Sequence, residues 1–349
     1  MDFEQNDNLQ GPMQPQSAEP IPNAGVSRPA PRRGTGWRIF WGIVLAFSIL
    51  GNIVLFLMLI GVIAILATGQ RTILTEEVIK EGPARTKIAM INVQGIIHGE
   101  LANDVYNQLE AARNDSHVKG IIVRVNSPGG TISASDQIYK EISNFRDKQR
   151  KPAVAFMQGV AASGGYYTSV ACDKIIAEPT TITGSIGVIS WYLVVKELLE
   201  DKLGVIPVTI KSGLKKDWPS SFRAPTEEEI QYIQDKLIKP SLERFVEVVA
   251  EGRKKSLSKD EVRQLADGSI FGAQEALEEK LIDEIGYQDE AIKLVKSMAG
   301  IRDARVVQYR KPFSFSDFFS YRKPNLLKLN RNTLYELSTP QILYLWSVH

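Results

Sequence analysis

The most prominent hydrophobic pattern is a long apolar run near the N-terminus. From Ile39 to Thr68 no charged residue occurs, and the polar interruptions within the run are Ser48 and Asn52. A helix of about 20 residues crosses the roughly 30 Å hydrocarbon core of a bilayer, whereas the apolar region of a cleaved signal peptide has about 7 to 15 residues. The run is about twice as long as that region, so it predicts a retained transmembrane helix over residues 37–69.

The flanks of this run predict its orientation. Residues 1–36 are rich in Pro, Gln, Asn and Gly and lack periodic apolar positions, which is typical of a disordered tail. Arg32, Arg33 and Arg38 crowd the N-terminal end of the run, against Arg71 at the other end, although a wider window evens the count. Because cytoplasmic flanks are enriched in Lys and Arg, we expect a cytoplasmic N-terminus and a folded part across the membrane.

After a polar stretch at residues 70–85, which predicts a stalk or a short helix, short apolar runs alternate with amphipathic stretches. The apolar runs have strand length and cover residues 87–93, 119–125, 153–158 and 174–177, while helical patterns cover 133–145 and the residues after Ser163. Strands that alternate with helices indicate parallel βαβ units. The predicted fold class is therefore α/β, with one domain at 86–300 preceded by one N-terminal transmembrane helix.

Two features mark the C-terminal third. Thr226 and Glu229 have the spacing of a capping box and predict a helix start, and Pro240 is expected to kink or split that helix. Residues 301–349 form a tail in which aromatic and apolar residues stand among basic and polar ones. The pattern leaves three roles open for this tail: packing on its own domain, lying on the membrane surface, or docking on a neighbouring subunit.

Composition narrows the function classes. The 42 basic and 40 acidic residues give a net charge of +2 without a long basic block, so nucleic acid is not an expected partner. Cys172 is the single cysteine, which excludes an intramolecular disulfide and a zinc site built from several thiolates. The 3 histidines are His98, His117 and the terminal His349, so a histidine base has two serious candidates. No metal or cofactor is predicted.

Two glycine-containing motifs follow predicted strands. Asn126-Ser127-Pro128-Gly129-Gly130 follows the strand that ends at Val125, and Ala161-Ala162-Ser163-Gly164-Gly165-Tyr166-Tyr167 follows a later one. The first motif can aim backbone N–H groups into the crevice at the strand ends, which is what an oxyanion hole requires, or it is an ordinary tight turn. The second can expose Ser163 as a nucleophile at a helix N-terminus, or the serine is a plain N-cap.

Together, the two motifs resemble those of the signal peptide peptidase A (protease IV) family, within the Clp-protease and crotonase superfold. Further matches are Thr183–Val188, Ala266–Gly268 and Leu281–Gly286, and the resemblance covers roughly residues 86–300. It implies that Ser163 is the nucleophile and that the N–H groups of Gly130 and Gly164 form the oxyanion hole. It also implies that the Ser185 hydroxyl orients the amine of a lysine base.

The base is expected to be a lysine, because neither His98 nor His117 lies in a recognisable catalytic motif. A lysine acts as a base only when burial or neighbouring charges lower its pKa from about 10.4 toward about 7 to 8. Lys211, Lys215 and Lys216 stand close together, and the family pattern Gly-x-Tyr-Lys resembles the four residues from Gly213, which selects Lys216. Lys215 stands where the tyrosine of the pattern usually does, and Lys211 is the second candidate.

The resemblance implies a membrane-anchored serine endopeptidase of a bacterial cytoplasmic membrane, with its catalytic domain extracytoplasmic. The implied substrates are signal peptides that remain in the membrane after secretory proteins are processed, or other apolar peptides, and the implied assembly is a homo-oligomer. A crotonase-like acyl-CoA enzyme and a non-catalytic membrane scaffold of the same fold are the alternatives. The acyl-CoA enzyme has no need of an anchor or of a serine and lysine pair, and the scaffold is expected to lack one of these two residues.

Overall fold

The computed structural model describes residues 34–67, 74–312 and 341–346. The chain divides into two units, Met1–Arg71 and Thr72–His349. In the first unit the described part is helix α1 (Thr35–Ala67), within which Gly36–Gly61 is long and apolar enough to cross a membrane. Residues 1–33 of the predicted disordered tail lie outside the described residues.

Helix α1 is long enough to cross a bilayer, and the polar side chain of Asn52 forms a hydrogen bond within it. The 26 residues of its apolar segment span about 39 Å, more than the roughly 30 Å hydrocarbon core of a bilayer. Asn52 lies within this segment, and its Nδ2 donates to the backbone oxygen of Ser48 at 2.7 Å. Since an unsatisfied amide in hydrocarbon costs several kcal/mol, this bond within the helix makes Asn52 compatible with a membrane span.

The second unit is an α/β domain built on a nine-stranded sheet with the strand order β1-β11-β2-β3-β5-β6-β10, to which β7 adds beside β5 and β9 adds beside β7. Its central strands β2, β3, β5 and β6 are parallel. The strands of this sheet are β1 (Thr75–Lys80), β2 (Lys87–Gln94), β3 (Val118–Ser127), β5 (Ala153–Ala162), β6 (Lys174–Ala177), β7 (Ile182–Gly184), β9 (Ile270–Gly272), β10 (Glu284–Ile285) and β11 (Arg305–Arg310). The expected α/β class with parallel βαβ units is confirmed.

A second, three-stranded sheet lies beside the first motif, with β12 between β4 and β8. Its strands are β4 (Gly129–Thr131), β8 (Ile189–Trp191) and β12 (Gln341–Leu345). The helices of the domain are α2 (Gly99–Asn114), α3 (Ile132–Gln149), α4 (Gly164–Ser169), α5 (Glu227–Ile233), α6 (Lys239–Gly252), α7 (Lys259–Gln264), α8 (Ala273–Glu278) and α9 (Gln288–Met298).

Both faces of the central strands are buried. Along β2, Ala89 and Ile91 join the core under α2 and α3, whereas Ile88 and Met90 join a second core under α9. Because successive side chains of a strand point to opposite faces, a strand covered on both sides needs a continuous apolar run. This explains why the central strands were readable as unbroken hydrophobic stretches.

The prediction of a stalk or a short helix at residues 70–85 is wrong in part, because residues 75–80 form β1. This strand pairs antiparallel with β11, so the sheet extends beyond the predicted domain of 86–300 at both ends. The helix predicted from Thr226 does begin there, with the Thr226 hydroxyl accepting from the Glu229 N–H at 3.2 Å. A π-helical stretch, Gln234–Ile238, separates α5 from α6, and Pro240 lies in the first turn of α6.

An ion-paired network closes the far edge of the sheet. Asp283 accepts from Arg253 at 2.7 Å and from Lys174 at 3.0 Å, and it also binds the backbone N–H of Ile175. Burial alone would raise the pKa of Asp283, but these hydrogen bonds outweigh it and hold the pKa below its ordinary value. The Leu281–Gly286 motif therefore contains a carboxylate, Asp283, that connects its own segment to Arg253 and to strand β6.

Candidate active site

Ser163 lies at a sharp turn between β5 and α4. Its backbone angles are φ 52° and ψ −114°, a positive-φ conformation that costs a residue with a side chain on the order of 1–3 kcal/mol. Its N–H donates to the backbone oxygen of Gly184 at 2.8 Å, and the residue is 1% exposed. A strained serine between a strand and a helix is the geometry of a nucleophile elbow.

The glycine turn lies directly beside this serine, because β3 and β5 are neighbouring parallel strands that end at the same edge of the sheet. Gly129 has φ 100°, and a Cβ on it would lie 2.7 Å from the N atom of Gly164. A Cβ on Gly130 would lie 1.9 Å from the backbone oxygen of Ile97. Only glycine fits at these positions, and the fit places Gly129 against Gly164, the residue after Ser163.

Strand β12 crosses this turn in antiparallel register. Tyr344 pairs with Gly130, Leu345 pairs with Gly129, and the Trp346 N–H donates to the Pro128 oxygen at 2.8 Å. A Cβ on Gly164 would lie 3.1 Å from the Tyr344 oxygen, so a backbone carbonyl of β12 stands next to the expected oxyanion hole. An extended segment of this chain therefore occupies the edge beside Ser163.

The side chain of Tyr344 is fully buried. Its ring centroid lies 4.6 Å from that of Phe245 and 5.0 Å from that of Tyr167, and its hydroxyl donates to the Ser241 oxygen at 2.7 Å. Of the three roles left open for the C-terminal tail, packing on its own domain holds for residues 342–346. Residues 313–340 and 347–349 lie outside the described residues. The sequence contained the signal, an apolar stretch, but nothing in it indicated the partner strand.

Ser185 lies one residue beyond the backbone group that holds Ser163. Gly184 accepts from the Ser163 N–H at 2.8 Å, and the Ser185 N–H in turn donates to the Ser269 oxygen at 2.7 Å. Ser185 has φ 49° and is 7% exposed. The structure thus brings the residue expected to orient the lysine next to the expected nucleophile.

Lys216 lies on a 3-10 helix, Leu214–Asp217, none of whose residues is buried. Lys211 donates to Asp217 at 2.6 Å, and this bond holds the pKa of Asp217 below its ordinary value. The Lys215 amine lies 4.4 Å from the ring centroid of Tyr232. Across the described ranges, the Lys216 amine forms no hydrogen bond or ion pair, with Ser163 or with any other residue. Lys211 and Lys215 therefore make local contacts, and Lys216 is exposed without a hydrogen-bond or ion-pair partner among the described residues.

The two internal histidines have local structural roles. His98 is the N-cap of α2, and its Nδ1 accepts from the Leu101 N–H at 3.3 Å. The Nδ1 of His117 lies 3.1 Å from Asp115, in the turn before β3. Cys172 is buried, and burial raises the pKa of its thiol. His98 directly follows Ile97, whose backbone pairs with Gly130, but its ring is engaged as the cap of α2.

Comparison with known proteins places the chain among peptidases. Residues 145–302 match the model of peptidase family S49, and residues 83–181 match the model of Clp protease. The two matches overlap over α4 and the Ser163 turn.

Curated relatives match more than half of the chain. The Enterococcus faecium protein that bears the name signal peptide peptidase SppA is 41% identical over 248 residues, which cover 68% of this chain and 71% of that protein. Protease 4 of Haemophilus influenzae is 36% identical, over 64% of this chain and 36% of its own length. The chloroplastic serine protease SPPA of Arabidopsis thaliana is 32% identical, over 58% of this chain and 29% of its own length. The chain therefore belongs to the SppA and protease 4 family of serine proteases, peptidase family S49.

Proposed function

We propose that the protein is a membrane-anchored endopeptidase with a Ser-Lys dyad, in which Ser163 is the nucleophile and Lys216 is the base. The N–H groups of Gly130 and Gly164 form the oxyanion hole, and Ser185 orients the lysine amine. Its substrates are apolar peptides in extended conformation, in particular signal peptides that remain in the membrane after secretory proteins are processed.

The chemistry follows from these assignments. The Oγ of Ser163 attacks the carbonyl carbon of the scissile bond while its proton passes to the neutral Nζ of Lys216. The negative charge that develops on the carbonyl oxygen is stabilised by the two backbone N–H groups. The lysine then gives its proton to the leaving amine, and a water molecule, activated by the same amine, hydrolyses the acyl-serine ester.

The observation that carries the proposal is strand β12. An apolar segment, Ile342–Trp346, runs antiparallel along the glycine turn, with the Tyr344 carbonyl beside Gly129 and Gly164. Addition of a strand at a sheet edge is a common mode of peptide recognition, in which backbone bonds give affinity and pockets give specificity. A peptide substrate in this position would present its backbone carbonyl to the oxyanion donors.

We also propose that the protein forms a homo-oligomer, and the exposure of Lys216 supports this. A lysine base requires a cover that excludes water from its amine, and Lys216 is exposed in this structure. The segment that leads to Lys216 carries apolar side chains that are strongly exposed, namely Ile206, Val208, Ile210 and Leu214. Apolar surface of this kind marks an interaction site. A second copy seated on this segment would bury it and the amine together.

Helix α1 supports the membrane anchor. The proposed location is a bacterial cytoplasmic membrane with the N-terminus in the cytoplasm, which rests on the arginines at the start of the helix. Protease added to intact spheroplasts should degrade the part of the chain after residue 70. Degradation only in inverted vesicles would reverse the proposed orientation.

The direct test of the chemistry is labelling of the full-length protein with a serine-reactive phosphonate, followed by mapping of the modified residue. We expect the label on Ser163, and we expect Ser163→Ala to fold, to resist labelling and to lack peptidase activity, since a methyl group fits the space of the hydroxyl. Wild-type turnover by folded Ser163→Ala would refute the mechanism.

A further inference from the structure

The two tyrosines that follow the nucleophile have no part in the proposed chemistry, yet both are fully buried. The Tyr166 hydroxyl donates to the Leu281 oxygen at 2.9 Å, and the Tyr167 hydroxyl donates to Asp136 Oδ1 at 2.6 Å. A position that needed only an aromatic ring in the core would be filled by phenylalanine without a polar group to satisfy. The hydroxyl groups therefore indicate a requirement beyond packing.

Helix α4 needs bonds to other elements to stay in place. It has 6 residues, too few to be stable on its own, and it begins at the strained Ser163. The hydroxyls of Thr168 and Ser169 bind the oxygen of Gly165 within the helix and do not tie it to other elements. Tyr166 ties α4 to the segment after α8, and Tyr167 ties it to α3.

The acceptor of Tyr167 is itself held from another element. Arg244 on α6 donates to the same oxygen, Asp136 Oδ1, at 2.9 Å. The Tyr167 ring also packs on Phe245 of α6 at a centroid distance of 5.0 Å. Burial and the bond to Asp136 raise the pKa of Tyr167, so its hydroxyl keeps the proton that it donates. Three helices thus meet at one carboxylate.

We propose that Tyr166 and Tyr167 are positioning residues, whose hydroxyl groups fix α4 and thereby hold Ser163 in its reactive, strained conformation. The proposal rests on the assignment of Ser163 as the nucleophile. Among the described residues Asp136 forms no hydrogen bond with Ser163 or the glycine turn, and it acts through Tyr167 and Arg244. A loss of either hydroxyl bond should lower the reactivity of the serine more than it lowers the stability of the domain.

The test measures the rate of phosphonate labelling and kcat and KM for an apolar peptide, with thermal unfolding of each full-length variant alongside. Tyr167→Phe should lower the labelling rate and kcat about tenfold, and Tyr166→Phe about fivefold, with little change in KM. Tyr309→Phe is the matched control, because the Tyr309 hydroxyl is buried in the same sheet domain without a partner among the described residues. The control should label at the wild-type rate.

A double-mutant cycle assigns the effect to one bond. Asp136→Ala should lose at least as much rate as Tyr167→Phe, because it also removes the acceptor of Arg244, and the double variant should lose no more than Asp136→Ala alone. Asp136→Asn should recover part of the rate, because an amide oxygen still accepts from the hydroxyl. If Tyr167→Phe does not fold, Asp136→Ala tests the same bond with the ring in place.

Two outcomes separate the proposals. Labelling of folded Tyr167→Phe or Asp136→Ala at the wild-type rate, with Ser163 still the labelled residue, would overturn the positioning role and leave the proposed function intact. Failure of the wild-type protein to label at Ser163 would instead overturn the proposed function. A loss of rate in Tyr167→Phe and Asp136→Ala that only parallels their fall in melting temperature would overturn the positioning role and show a purely structural one.

Discussion

Ser163→Gly should abolish activity and yet leave the domain more stable than Ser163→Ala does. The angles of Ser163, φ 52° and ψ −114°, are the mirror image of an ordinary extended conformation, so they are strained for alanine and allowed for glycine. Relief of the strain contributes about 2 kcal/mol, whereas the extra flexibility of glycine in the unfolded chain costs about 0.5–1 kcal/mol. The net expectation is about 1 kcal/mol in favour of Ser163→Gly over Ser163→Ala.

The assay is thermal and denaturant-induced unfolding of both full-length variants in the same detergent. A gain of about 1 kcal/mol raises the melting temperature of a domain of this size by about 2–4 °C. Ala162→Gly is the matched control, since Ala162 is buried on the preceding strand and has no positive φ. The control should lose about 1 kcal/mol. If Ser163→Gly is less stable than Ser163→Ala by the amount that the control loses, the turn stores no strain.

Three further perturbations test other parts of the site and the domain. Lys216→Ala should abolish peptide hydrolysis, and so should Lys216→Arg, because a guanidinium stays protonated. Lys215→Ala and Lys211→Ala should retain most of the activity. Activity that survives Lys216→Ala but not Lys211→Ala would assign the base to Lys211. Gly130→Ala should lower the kcat of the folded variant by about 10²–10³, because its methyl group collides with the Ile97 oxygen and shifts the oxyanion donor, and near-normal kcat would exclude Gly130 from the hole. Because the pKa of Asp283 is lowered in the folded state, its ion pairs stabilise the fold above about pH 4. This stabilisation should be lost as the pH falls from there through the folded-state pKa. Asp283→Asn should therefore flatten that part of the plot of unfolding free energy against pH.

Several elements could be predicted from the sequence because their physical requirements are local. Parallel strands covered on both faces need continuous apolar runs, so β2, β3, β5 and β6 were visible. A membrane helix needs an uncharged run of about 20 residues, and α1 has one. The glycine turn and the Ser163 turn were also readable, because only small residues permit those backbone angles and close approaches.

Other features depend on partners that are distant in sequence. Strand β1 is polar and lies at the edge of the sheet, so its pattern resembles a stalk, and only its pairing with β11 makes it a strand. The sequence by itself determined an apolar helix long enough to cross a membrane, the parallel core and the candidate nucleophile, since local backbone and burial requirements encode them. The tertiary structure decided that β12 lies along the glycine turn and that Lys216 is left exposed, because strand pairing and solvent exclusion come from surfaces that the local sequence does not contain.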